Sequence, residues 1–206
     1  MELLTILSFA GAAMLVTIMP GPDNLFVLTQ SIAKGKNAGI FTTLGLCTGL
    51  LLHVSAAAIG ITALLYQSAA AFTIIKYAGA VYLLYLAYMS FRNKESTLNL
   101  DSGERLNSTA LYRRGVIMNV LNPKVSLFFL AFFPQFVNNS GINISVQMLL
   151  LGIIFLVQTF IIFSLISLFS GKIGTLLRQN PAVSKRMNII QGCLFTAIGL
   201  SIAFND

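Results

Sequence analysis

Met19-Pro20-Gly21-Pro22-Asp23-Asn24-Leu25-Phe26 interrupts an otherwise apolar stretch near the start of the chain, and its reading decides the fold. Upstream, Leu3 to Met19 carries no charge; downstream, Leu25-Phe26-Val27-Leu28 resumes the apolar run. Two prolines this close together remove two backbone donors and crowd the preceding turn, so a helix cannot pass undisturbed. Gly21 tolerates whatever backbone angle the break needs. Pro22 suits the first position of a new helix, with Asp23 and Asn24 in its first turn. Broken helices persist at membrane depth only where the freed backbone groups are buried in protein or line a cavity. A carboxylate at the break is costly there and needs a reason. The competing reading is a surface turn after a short first helix, since Leu3 to Met19 only just reaches the roughly 17-residue minimum for a span.

The composition of the whole chain favours the membrane. Its 206 residues are 56% hydrophobic and 9% charged, where a soluble domain carries about 25% charged residues. The net charge is +7, but the basic residues sit in short gaps between apolar runs. That pattern belongs to cytoplasmic loops in contact with a lipid bilayer, and no nucleic-acid partner is expected. Cys47 and Cys193 fall inside apolar segments without a second cysteine or histidine at metal-ligand spacing, so both read as small buried residues. The N-terminus lacks a positive n-region and a cleavage site, which makes the first segment a retained span. No gap is long enough to hold a soluble domain, so residues 1–206 read as one integral membrane domain.

A window of about 19 residues finds six apolar segments. They run from Leu3 to Ser31 with the break inside it, Gly39 to Tyr66, Ala70 to Phe91, Gly115 to Phe136, Gln147 to Phe169, and Met187 to Phe204. Residues 92–112 form the one long polar stretch, read as a solvated loop. Of the 13 Lys and Arg residues, eleven lie in the first, third and fifth gaps, and the second and fourth gaps have none. The positive-inside rule then turns the odd gaps to the cytoplasm and the C-terminus outward. The N-terminus lies outside if the first segment spans, and inside if that segment turns back at the break. The two remaining lysines differ: Lys76 can snorkel to the interface, while Lys124 sits mid-segment, where snorkelling is harder.

The fourth segment repeats the defect of the first. Pro123-Lys124 stands in the second half about where Pro22-Asp23 stands in the first, and each is followed by a phenylalanine-bearing apolar run. Asn122 suits an N-cap and Pro123 the first helical position. The fold expected is therefore all-α: six transmembrane helices in two inverted three-helix repeats, about 1–91 and 113–206, with the first and fourth helices broken. Inverted repeats with matching breaks are the mark of a secondary transporter with a midplane site; the alternative is coincidence between two proline-containing helices.

Asp23 and Lys124 each cost roughly 2.5–3.5 kcal/mol at mid-bilayer. One reading makes them a structural ion pair. The other puts them in a shared polar cavity, Lys124 meeting a substrate carboxylate and Asp23 an ammonium or a proton. His53, the single histidine, is a candidate proton carrier with an ordinary pKa of roughly 6.5, or else a hydrogen-bonded packing residue. Gly45 and Gly49 have the GxxxG spacing of close helix approach. Asn119 and Gln158 read first as interhelical glue, and the tyrosines of the third segment as packing or interfacial aromatics. No HExxH, Walker loop or interpretable nucleophile–base pair is present, so neither an enzyme nor a cofactor is expected.

Pro20-Gly21-Pro22-Asp23-Asn24 resembles the signature of the LysE/RhtB family of amino-acid exporters. So do the glycine-studded segment ending in Leu52-His53, the third segment from Lys76 to Leu86, and Arg114-Gly115-Val116 leading to Asn119 and Asn122-Pro123-Lys124. The similarity covers nearly the whole chain. It implies an inner-membrane carrier that exports amino acids or close derivatives in exchange for protons, and it is compatible with a homo-oligomer. The substrate or ion pathway it implies runs past Pro20, Gly21, Pro22, Asp23, Asn24, His53, Asn119, Asn122, Pro123 and Lys124. Rival readings are an exporter of other small solutes or ions and a non-transporting membrane scaffold.

Overall fold

The computed structural model describes residues 1–19, 21–67, 69–92, 107–138, 141–179 and 181–204. Among these there is no strand. The first apolar segment folds as two helices, α1 (Leu3–Ile18) and α2 (Pro22–Lys34), bent by 56°. Next come α3 (Lys36–Gln67) and α4 (Ala69–Arg92). The fourth segment is again a pair, α5 (Ser108–Val120) and α6 (Pro123–Leu127), the latter continued by a π-helical turn over Phe128–Phe132 and a 3-10 turn over Phe133–Phe136. The bend between its two parts is 50°. The chain closes with α7 (Ile144–Leu168), α8 (Ser170–Gln179) and α9 (Pro181–Phe204). Both expected breaks are therefore present, each with proline at the start of the second helix.

Three of these helices are long and apolar enough to cross a membrane, and up to five spans result if each bent pair counts as one. Of the two helices left, α4 has 24 residues, about 36 Å at 1.5 Å per residue, and α8 has 10. Leu3, Ile59, Val81, Ile153 and Phe204 stand on outward faces with most of their surface exposed, as side chains turned to lipid do. One difference from the sequence reading lies after α7. The basic gap expected there as a loop forms α8, in which Ile173 and Leu177 fall on one stripe and Lys172 on another. A second is Cys193, which is exposed on α9 while Cys47 is buried.

Glycine fixes how the helices meet. A Cβ on Gly115 would lie 2.6 Å from the Thr42 carbonyl, and one on Gly49 would lie 2.8 Å from Asn119 Cβ. A Cβ on Gly45 would run into the carbonyl of Tyr112. The GxxxG spacing of α3 is thus the surface on which α5 lies, backbone against backbone. α3 also packs along α7, and α4 packs chiefly against α9. The main core is aromatic: Phe9, Phe128, Phe129, Phe132, Phe133, Phe136 and Phe155 interlock with ring centroids 4.8–6.5 Å apart. This cluster fills the space on the α7 N-terminal side of the two breaks.

Candidate functional site

Each proline at a break deletes a backbone N–H, and each deletion strands the carbonyl four residues earlier. The last helical bond of α1 runs from Met19 N–H to Leu15 O. Beyond it the carbonyls of Val16, Thr17 and Ile18 have no helical donor. Side chains take all three. Lys124 Nζ donates to Val16 O at 2.9 Å, and Asn24 Nδ2 donates to Thr17 O at 2.8 Å and to Ile18 O at 3.4 Å.

The second break is treated the same way. Pro123 cannot donate to Asn119 O, which instead accepts from Asn122 N–H at 3.0 Å and faces His53 Nε2 at 3.1 Å. A carbonyl only accepts, so Nε2 carries the hydrogen in that bond. His53 also stacks on Phe129, with centroids 6.0 Å apart and planes 10° from parallel. The Asn122 side chain caps α6 by accepting from Lys124 N–H at 3.0 Å. The repair crosses between halves: Lys124 of the second break caps the first, and His53 of the first half caps the second.

Asp23 sits on the first turn of α2, buried to 6% exposure. Its Oδ1 accepts from Asn122 Nδ2 at 2.9 Å and its Oδ2 from Asn119 Nδ2 at 3.1 Å. A buried carboxylate held by two amide donors keeps much of the solvation it loses on leaving water. No direct ion pair joins Asp23 to Lys124. Instead both line one small cavity together with Gly21, Asn24, Asn119 and Asn122, while Val16, Leu50, Val125, Phe155 and Phe163 supply apolar wall. Thr17 and Thr159 complete it, their hydroxyl oxygens 3.5 Å apart. Lys124 Nζ also lies 5.7 Å from the centre of the Phe195 ring. The cavity volume is about 30 Å³, room for a water or two but not for an amino acid.

The residues singled out in the sequence thus largely converge. Gly21, Asp23, Asn24, Asn119, Asn122 and Lys124 line the cavity, Pro22 and Pro123 start the helices that present them, and His53 touches the site through the Asn119 carbonyl. Pro20 lies outside the described residues. Asn119 joins α5 to α2 by a hydrogen bond to Asp23, an interhelical contact made at the cavity itself. Thr17, Thr159 and Phe163 were missed; nothing in a lone threonine or phenylalanine of an apolar helix marks it, although Thr159 and Phe163 share one helix face with Phe155 at four-residue spacing. Among the described residues no group of three or more His, Cys, Asp or Glu side chains could hold a metal ion.

Comparison with known proteins agrees with this architecture. The family described as LysE type translocator matches residues 14–206. An uncharacterized membrane protein of Vibrio cholerae is 30% identical over 96% of this chain and 95% of its own. A homoserine/homoserine lactone efflux protein of Salmonella typhimurium is 29% identical, covering 92% of this chain and 91% of its own. A leucine efflux protein of an Enterobacter species is 28% identical, covering 95% and 93%. No solved structure matches. With a family match across nearly all of its length, broken apolar helices and polar groups gathered at the breaks, the chain belongs to the LysE type translocators and is a multi-pass membrane transporter, not an enzyme.

Proposed function

We propose that the protein exports amino acids or close derivatives across the inner membrane, and that the cavity between the two breaks is its substrate site. The observation that carries this reading is that Asp23 and Lys124 line one cavity without pairing to each other. A lysine ammonium has three donors, and a single hydrogen bond, to Val16 O, engages it here. Its remaining donors suit the α-carboxylate of a zwitterion, and Asp23 suits the ammonium. The cavity is too small for such a guest as it stands, so binding goes with opening of the helices around it.

The layout that supports transport is two inverted halves, α1 to α4 and α5 to α9, with the basic ends cytoplasmic and the C-terminus outside. What supports it is that helices matched in this layout pack against each other, α3 against α7 and α4 against α9. Proton exchange would drive export. One proton entering per substrate supplies about 2.3 kcal/mol per 100 mV, a gradient of roughly fiftyfold for a neutral substrate. Asp23 is the group proposed to carry the proton, with His53 the next to test. Homo-oligomers are compatible with this scheme but are not needed for the site.

The test is export of a labelled amino-acid panel from cells with and without the protein, with and without a protonophore. Protein-dependent export that collapses with the proton gradient is the expected result. Export of inorganic ions or other solutes alone would favour the rival exporter reading, and no dependence for any compound would favour a scaffold.

A further inference from the structure

We infer that the seam between α2 and α7 is the route from the basic end of the molecule to the cavity, and that Phe163 is its gate. The inference rests on the exporter reading above and adds a path and a closing residue to it.

Along the seam both helices repeat at four-residue spacing, which keeps side chains on one face. On α2 the series is Asp23, Val27, Ser31; on α7 it is Thr159, Phe163, Ser167, and all six are buried. The rungs are polar at the cavity, apolar next, and polar again beyond. Val27 and Phe163 pack together with Leu46 of α3 as a small core separate from the main one. Ser31 and Ser167 meet over Gly39, where a Cβ would strike both hydroxyl groups. Past them lie Lys34 and Lys36 at the α2–α3 junction and Lys172 in α8. One apolar rung and one buried polar rung therefore separate the cavity from the basic end. The other side of the cavity is closed by the whole phenylalanine cluster, a far thicker barrier.

A second observation points the same way. Among the described residues the buried side-chain polar atoms without a hydrogen-bond partner are Gln30 Oε1, Asn119 Oδ1, Gln158 Nε2, Ser164 Oγ and Ser167 Oγ. Of these, Ser167 is a rung of the seam, and Gln30 follows Val27 by three positions on the same stripe of α2. Unpaired buried polar atoms are rare because they lose water and gain nothing. On a seam that parts and hydrates, water pairs them again, which lowers the cost of opening there rather than elsewhere. Permanent packing would favour apolar side chains at these positions.

The test uses the full chain with Cys47 and Cys193 replaced by alanine, in inverted membrane vesicles, and a membrane-impermeant maleimide as probe. It needs no transport, so it stands or falls apart from the substrate assignment. Ser167→Cys, buried beyond the gate, is expected to label from the cytoplasmic face as the seam parts, with Phe163 intact and faster than any residue inside the gate. Thr159→Cys, inside the gate, is expected to label slowly, and Phe163→Ala to speed it about tenfold or more, as removal of a buried aromatic from a closed contact should. Phe163→Leu, which keeps most of the apolar volume, gives a smaller gain and serves if the alanine variant does not reach the membrane. Failure of Ser167→Cys to label from that face, or a Thr159→Cys rate indifferent to residue 163, overturns the proposal.

Discussion

The prolines at positions 20 and 22 strand the carbonyls of Val16 and Ile18, which Lys124 and Asn24 meet, and Pro123 removes the helical donor of Asn119 O and leaves it to Asn122 N–H and His53. At the scale of the residue this arrangement gives His53 a role distinct from proton carriage. His53→Gln keeps the second donor to Asn119 O, whereas His53→Ala leaves that carbonyl to the Asn122 N–H alone. We expect the alanine variant to lose about 0.5–1.5 kcal/mol of stability, read as detergent-solubilised melting, and the glutamine variant to lose little. Export by His53→Gln that still collapses with a protonophore assigns the proton to Asp23; export that no longer responds assigns it to His53. Asp23 makes a matching case. Both its oxygens accept amide hydrogens, so Asp23→Asn sets an amide donor against one of them. The variant should reach the membrane in reduced amount and fail to export.

The elements tell which parts of this were legible beforehand. The two breaks could be read from proline spacing alone, because the missing N–H is a property of the residue and no tertiary context restores it. The contact face of α3 could be read only as a spacing; that Gly45 and Gly49 serve α5 in particular follows from the packing. Gly49→Ala is expected to cost about 1–3 kcal/mol by overpacking and to displace Asn119 from Asp23. Gly11→Ala, where a Cβ meets nothing within 4 Å, is the neutral control. If both variants match the parent in melting temperature and export, the close approach of α3 and α5 is not what holds Asn119. Other elements were out of reach. The π-helical turn at Phe128–Phe132 lies inside the phenylalanine cluster, and such turns often sit at functional sites. α8 went unread because a basic gap between apolar runs is most simply a loop. The amide partners of Asp23 were also hidden, since Asn119 and Asn122 lie far away in sequence and meet it only when the two bends fit together.

For the molecule as a whole, orientation and mechanism are separable. The charge bias predicts that Asp101→Cys and Asp206→Cys, both outside the described residues, label from opposite sides of the membrane with an impermeant reagent. Labelling from one side would remove the inverted repeat from the account while leaving the site geometry in place. The central claim is that Asp23 and Lys124 serve the substrate and do not serve each other. The measurement that tests it most directly is export of a labelled amino acid by the Asp23→Asn, Lys124→Gln and double variants, scored beside membrane abundance. A buried structural pair broken at one end typically costs about 3–5 kcal/mol, and removing both partners relieves that. The account predicts that none of the three transports and that the double variant is no more abundant than Asp23→Asn alone, whereas near-normal transport by the double variant alone would contradict it.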